Sequence, residues 1–246
     1  MRAESLSVKL FADGADLKHI KDLYANPLIK GFTTNPTLMR SAGVEDYETF
    51  AKQVLEVVPD RPVSFEVLAD DLDTMEVQAR HIRSWGPNVF VKIPVTTTGG
   101  QSTVSLVRTL SNDGVQVNVT AVFTLDQVRE VVAHLNPDIA ANVSVFAGRI
   151  ADSGRDPMPI MQESVELLKA CPKAELIWAS PREFLNVVQA HDVGCHIITA
   201  TPDILKKLSL LGKDLNEFSL DTVKMFYNDA QSAGFSLGEP VPSVAE

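Results

Sequence analysis

The chain has 246 residues, 45% of them hydrophobic and 22% charged, with a net charge of -10. That composition fits a soluble globular protein long enough for one large α/β domain or two small ones. The acidic balance argues against a nucleic-acid surface, no apolar run approaches the roughly 18 residues of a membrane span, and no basic-then-apolar leader opens the sequence, so a cytoplasmic protein is expected.

Short β-like runs alternate with helical patterns from one end to the other. Ser7–Ala12 is the first run, followed by an amphipathic helix over Asp16–Tyr24. Gly31–Thr34 is the second, with a helix near Tyr47–Val57, and Pro62–Val67 is the third, with a helix over Leu72–Trp85. Asn88–Val95 is the fourth, with a helix near Gln101–Ser111. The Asp113-Gly114 turn leads into Val115–Thr120, and Thr124 is placed to cap the helix that follows. Ile139–Phe146 is the sixth run, before a helix over Pro157–Cys171. Ala174–Ala179 and Cys195–Thr199 complete the set, with Pro181 and Pro202 each fitting the first turn of a following helix. A last amphipathic helix covers Leu220–Ser232, and residues 236–246 read as a flexible tail.

Eight β runs, each followed by a helix at intervals of about 25 to 30 residues, predict a single (β/α)8 barrel over residues 1–246 with an additional C-terminal helix. A doubly wound open sheet is the alternative, but the Gly-rich turn that would mark it is missing after the first run. Cys171 and Cys195 have no CxxC spacing, and the five histidines form no HxH or HxxxH pair, so neither a disulfide framework nor a metal is expected.

Barrel chemistry gathers at the C-terminal ends of the strands. There the sequence delivers Asp13, then Thr34 and Asn35, Glu66, Lys92, Asn118 and Thr120, Asn142 and Ser144 with Arg149 beyond, Ser180 with Arg182, and Thr199. Lys92 stands out because V-K-I-P-V is otherwise apolar, and an isolated charge there is costly to bury. It is either a lysine snorkelling from an edge strand or an amine held uncharged to attack a carbonyl. Asn118 and Thr120 are two apart and face one side, where they can converge with Lys92 and Glu66. Arg149, Ser180 and Arg182 follow adjacent runs. They read either as surface residues in salt bridges or as a phosphate pocket beside a helix N-terminus.

G-F-T-T-N-P-T at 31–37, F-V-K-I-P-V-T at 90–96 and S-V-F-A-G-R at 144–149 resemble the transaldolases, in particular the small branch that includes the fructose-6-phosphate aldolases. The resemblance implies a Schiff-base nucleophile at Lys92, an acid/base carboxylate at Asp13 and a water-holding pair at Glu66 and Thr120. It implies substrate contacts from Thr34, Asn35, Asn118, Ser144 and Phe146, and a phosphate set at Arg149, Ser180 and Arg182. It implies sugar-phosphate substrates, no cofactor, a place in the pentose phosphate pathway, and a homo-oligomer, with pentamers and decamers known in the branch. Glu66 and Phe146 match the transferring members, where the releasing aldolases carry Gln and Tyr. Release of free dihydroxyacetone, a sulfonated or otherwise modified ketose, and a non-catalytic sugar-phosphate-binding barrel are the alternatives. Pro181 and the long polar stretch Thr96–Ser102 depart from the family pattern.

Overall fold

The computed structural model describes residues 3–238. They fall into two compact units, one running through Ser209 and the other from Leu210 onward. The first is a closed parallel barrel with strand order β1 to β8. Its strands are β1 (Lys9–Asp13), β2 (Ile29–Thr33), β3 (Val63–Glu66), β4 (Val89–Pro94), β5 (Val117–Val122), β6 (Ala141–Val145), β7 (Ala174–Trp178) and β8 (Ile197–Ala200). The intervening helices are α1 (Leu17–Tyr24), α2 (Pro36–Ser41), α3 (Tyr47–Val57), α4 (Leu72–Arg83), α5 (Val104–Asn112), α6 (Leu125–Val132), α7 (Ala147–Asp152), α8 (Met158–Leu168), α9 (Leu185–Asp192) and α10 (Pro202–Leu205). The second unit carries α11 (Leu215–Ser232), capped by Asp214, whose side chain accepts from Asn216 and Glu217 N–H groups. Of the expected tail, residues 239–246 lie outside the described residues.

The eightfold rhythm is as the sequence predicts, but two short helices were not visible in it. α2 opens at Pro36 directly after β2, and α7 opens at Ala147 directly after β6. Each has six residues, too few for an amphipathic period to register. Pro202 does open α10, whereas the helix after β7 begins only at Leu185. The intervening loop is organised instead by Asn186, whose Oδ1 accepts from the N–H groups of Arg182 (2.8 Å) and Glu183 (3.2 Å). Thr124 caps α6 as expected, and Gln127 completes a reciprocal capping box.

Outward-facing strand residues such as Val63, Val91, Val117, Val143 and Trp178 pack against the helix ring in one continuous apolar shell. Inside, Phe11, Ile177, Ala179 and Ile197 form a separate apolar cluster on the β7–β8–β1 side. Gly31 makes room for it: a Cβ there would lie 2.4 Å from the Phe11 ring. The other side of the interior is polar, and it holds the site.

Candidate active site

Lys92 sits on β4, 7% exposed, with Glu66 as its register partner on β3 and Asn118 on β5. The barrel is closed, so the edge-strand explanation of this lysine fails. Its Nζ donates to the Thr34 carbonyl at 2.9 Å and lies 3.4 Å from Glu66 Oε2. Thr34 thus meets the amine through its main chain. Its own hydroxyl donates to the Ser64 carbonyl, and the residue is fully buried.

Asn118 is held from both sides. Its Nδ2 donates to Ser64 Oγ at 3.0 Å, and its Oδ1 accepts from Ser144 Oγ at 2.7 Å. This chain across β3, β5 and β6 fixes the amide beside Lys92 without consuming the lysine. Thr120 Oγ1 is buried and has no hydrogen-bond partner among the described residues. Just past it the strand bulges: the pairing with β6 shifts between Val119 and Val122, and Ala121 takes a left-handed φ of 58°. Such bulges re-aim side chains next to functional sites.

Asp13 ends β1. Its Oδ1 accepts from Thr33 Oγ1 at 2.8 Å, and Thr33 Oγ1 is also 2.5 Å from Thr199 Oγ1. Burial pushes the Asp13 carboxyl above its ordinary range, with the Lys92 charge and the Thr33 hydroxyl pulling the other way. Asn35 caps α2, its Oδ1 accepting from Leu38 N–H at 2.9 Å, so its amide nitrogen is the group left to donate.

The β6 and β7 ends form a second cluster. The Arg149 guanidinium stands 5.8 Å over the Phe146 ring. Ser180 adopts φ 60°, and Gly148 lies so close that a Cβ would fall 1.6 Å from the Ser180 carbonyl oxygen. Arg182 donates from Nη1 to Ser180 Oγ at 3.0 Å and grips Asp152 with Nε and Nη2, the shortest contact being 2.5 Å. That pairing holds the Asp152 carboxyl below its usual range.

Sequence reading missed Ser64, Thr33, Asp152 and Tyr47. Ser64 and Thr33 are ordinary strand residues until register places them inside. Asp152 belongs to the unseen α7, and Tyr47 opens a helix outside the barrel. The Thr96–Ser102 stretch is a small hairpin closed by a Thr96–Ser102 bridge and tied to Asp70 through the Thr98 N–H (2.7 Å) and hydroxyl.

Among the described residues no helix is long and apolar enough to cross a membrane. None of their His, Cys, Asp and Glu side chains cluster in a way that could hold a metal ion.

Comparison with known proteins adds a family to this geometry. The chain resembles a probable transaldolase of Rhodospirillum centenum, 36% identical over 231 residues that cover 92% of this chain and 96% of that one. A probable transaldolase of Methanococcus maripaludis is 37% identical over 203 residues, 82% of this chain and 89% of that one. The crystal structure of 3-keto-L-gulonate-6-phosphate decarboxylase from Vibrio cholerae superposes with a TM-score of 0.55 at 11% identity, covering 80% of this chain and 88% of that one, which speaks to the barrel alone. The family description Transaldolase/Fructose-6-phosphate aldolase matches residues 10–237, almost the whole described chain, and with relatives of this identity and coverage on both sides, this protein belongs to that family.

Proposed function

We propose that this protein is a transaldolase, moving a dihydroxyacetone unit from a ketose phosphate to an aldose phosphate through a Schiff base on Lys92. The observation that carries the proposal is the amine itself: a lysine 7% exposed inside a closed barrel, with a carbonyl, a carboxylate and an anchored amide around it. An amine held this way inside the barrel is placed to attack the carbonyl of a bound sugar.

Uncharged Lys92 Nζ attacks C2 of the ketose, giving a carbinolamine. Loss of water leaves an iminium, with Glu66 moving the proton. The unpaired Thr120 hydroxyl supports this role for Glu66, since a water held between the two would satisfy a buried donor that otherwise costs about 1–3 kcal/mol. Asp13 takes the proton of the C4 hydroxyl. The C3–C4 bond then breaks, its electron pair passes into the iminium to give an enamine, and the aldose leaves. A second aldose enters and the steps reverse. Asn35, Asn118 and Ser144 bind the hydroxyls of the bound unit, Phe146 walls it, and Arg149, Ser180 and Arg182 bind the phosphate.

Glu66 and Phe146 support transfer over release, as their counterparts do in the family resemblance. Borohydride reduction with a ketose phosphate, followed by mass spectrometry, should place the adduct on Lys92 and lose it in Lys92→Ala. Absence of an adduct on the unmutated chain would remove the mechanism. Turnover undiminished by omitting the acceptor aldose would make the enzyme an aldolase. On the same resemblance we assign the enzyme to the cytoplasm and the pentose phosphate pathway and expect a homo-oligomer, pentamer or decamer, which light scattering reads directly.

A further inference from the structure

The ladder between β2 and β3 breaks off at the lysine. Phe32 N–H donates to Pro62 O at 2.8 Å and Thr34 N–H to Ser64 O at 3.2 Å. In a regular parallel pair the next rung would run from Glu66 N–H to Thr34 O, and the one after from residue 36 to Glu66 O. Neither exists. The Thr34 carbonyl is occupied by Lys92 Nζ, and residue 36 is a proline with no N–H to give. Glu66 would therefore be left with an unpaired N–H and an unpaired C=O on the side facing away from β4, each expensive to orphan where it is partly buried.

Tyr47 fills both positions. Its hydroxyl accepts from Glu66 N–H at 2.7 Å and donates to Glu66 O at 3.0 Å. The ring is fixed edge-on between Phe65 (6.3 Å) and Trp85 (5.7 Å). The backbone beneath it is fixed by the Asp46 cap, whose Oδ1 accepts from Thr49 N–H at 2.6 Å.

Resting on the Schiff-base role proposed above for Lys92, we infer that Tyr47 is a positioning residue: its hydroxyl replaces the missing β2 rungs at Glu66 and so keeps the Thr34 carbonyl available to the lysine. Without that hydroxyl, the acceptor that a regular parallel ladder offers Glu66 N–H is the Thr34 carbonyl itself. Closing that rung takes the carbonyl from Lys92 and pulls Glu66 toward β2. The hydroxyl thus acts on the nucleophile through two main-chain groups and never touches the substrate.

Tyr47→Phe removes the oxygen and keeps the ring. Val131→Ala, at a fully buried position of α6 away from Tyr47 and Glu66, serves as the stability control. We expect Tyr47→Phe to slow borohydride-trapped adduct formation and kcat together by about tenfold, with KM within about twofold of the parent. Val131→Ala should lower Tm and leave adduct formation at the parent rate. Trapping at the parent rate in Tyr47→Phe, or an equal loss in Val131→Ala, overturns the inference. The unmutated enzyme, run alongside, separates this from failure of the Schiff-base role: no adduct there sinks both, whereas an adduct there with parental Tyr47→Phe sinks only the role of Tyr47.

Discussion

Asp152 holds Arg182 by two guanidinium nitrogens, Nε and Nη2, and leaves Nη1 directed to Ser180. The arginine proposed above to bind phosphate is thus already paired with a carboxylate. Both side chains are about half exposed, so the pair contributes little to folding. Its effect lies in the charge a phosphate meets. Asp152→Asn keeps an acceptor for Arg182 and removes the competing charge. We expect KM for a phosphorylated ketose to fall about two- to fivefold at low salt, less at high salt, with Tm unchanged. Steady-state kinetics at two ionic strengths checks this; a rise in KM would mean that Asp152 acts by aiming the guanidinium.

The Asp13 carboxyl is raised by burial, and the sign of its contribution follows. With a folded pKa above the unfolded value near 3.8, the native state binds more protons over the interval between them. Stability from this group is fully present below about pH 4 and is lost as pH rises through the folded pKa. Asp13→Asn, always neutral, should therefore melt higher than the parent at pH 7, by about 2–4 °C for each kcal/mol relieved, and no higher than the parent near pH 3.5. The same variant should still form the Lys92 adduct but cleave C3–C4 about 10²–10⁴-fold more slowly. Thermal melts at the two pH values and single-turnover kinetics test both halves.

Gly148 cannot carry a side chain without moving the Ser180 carbonyl, because the Cβ would sit 1.6 Å from its oxygen. That carbonyl belongs to main chain, which yields less readily than a side-chain end. Gly148→Ala should cost about 1–3 kcal/mol in denaturant unfolding. It should also raise KM for phosphorylated substrate by an order of magnitude or more while sparing turnover of an unphosphorylated ketose, since the disturbance lies at Arg149, Ser180 and Arg182. Equal losses on both substrates would place the phosphate elsewhere.

Ala121, at φ 58°, stores strain next to Thr120. A left-handed alanine costs about 1–2 kcal/mol, and a β-branched side chain fares worse. Ala121→Gly should leave kcat intact and hold or raise Tm. Ala121→Val should lower Tm and kcat together by straightening the bulge and turning Thr120. Denaturant titration beside steady-state rates separates the two.

The barrel was legible because its signal repeats eight times, and single errors at strand ends, such as Cys195 for Ile197, do not disturb the count. The candidate residues that the structure brings together were legible where a polar side chain interrupts an apolar run: Lys92, Asn118 and Glu66 are costly there, and cost is visible in sequence. Thr34 was legible as a residue but not in its role, since which of its atoms meets Lys92 depends on where β2 leaves the sheet. Tyr47 and Asp152 were hidden because each lies in a helix and acts on a strand-end group far from it in sequence. Pro181 looked like a helix start, but a proline fits several loop positions equally well, and Asn186 organises this one.

The lengths of the strand pairings divide the closed sheet in a way that strand order alone does not convey. β2–β3 and β7–β8 are joined over two registered residue pairs each, the other neighbours over three to five. The barrel is therefore two arcs, β3 to β7 and β8 to β2, meeting at two short seams. Lys92, Glu66, Asn118 and Ser144 ride on the longer arc; Asp13, Thr33 and Thr199 ride on the shorter. The amine that would hold the sugar and the carboxylate that would take its proton stand on opposite arcs. One seam is nonetheless tied at the site itself: Lys92 reaches the Thr34 carbonyl across it, and Thr34 returns two hydrogen bonds to the Ser64 carbonyl, so the lysine is held by both arcs at once.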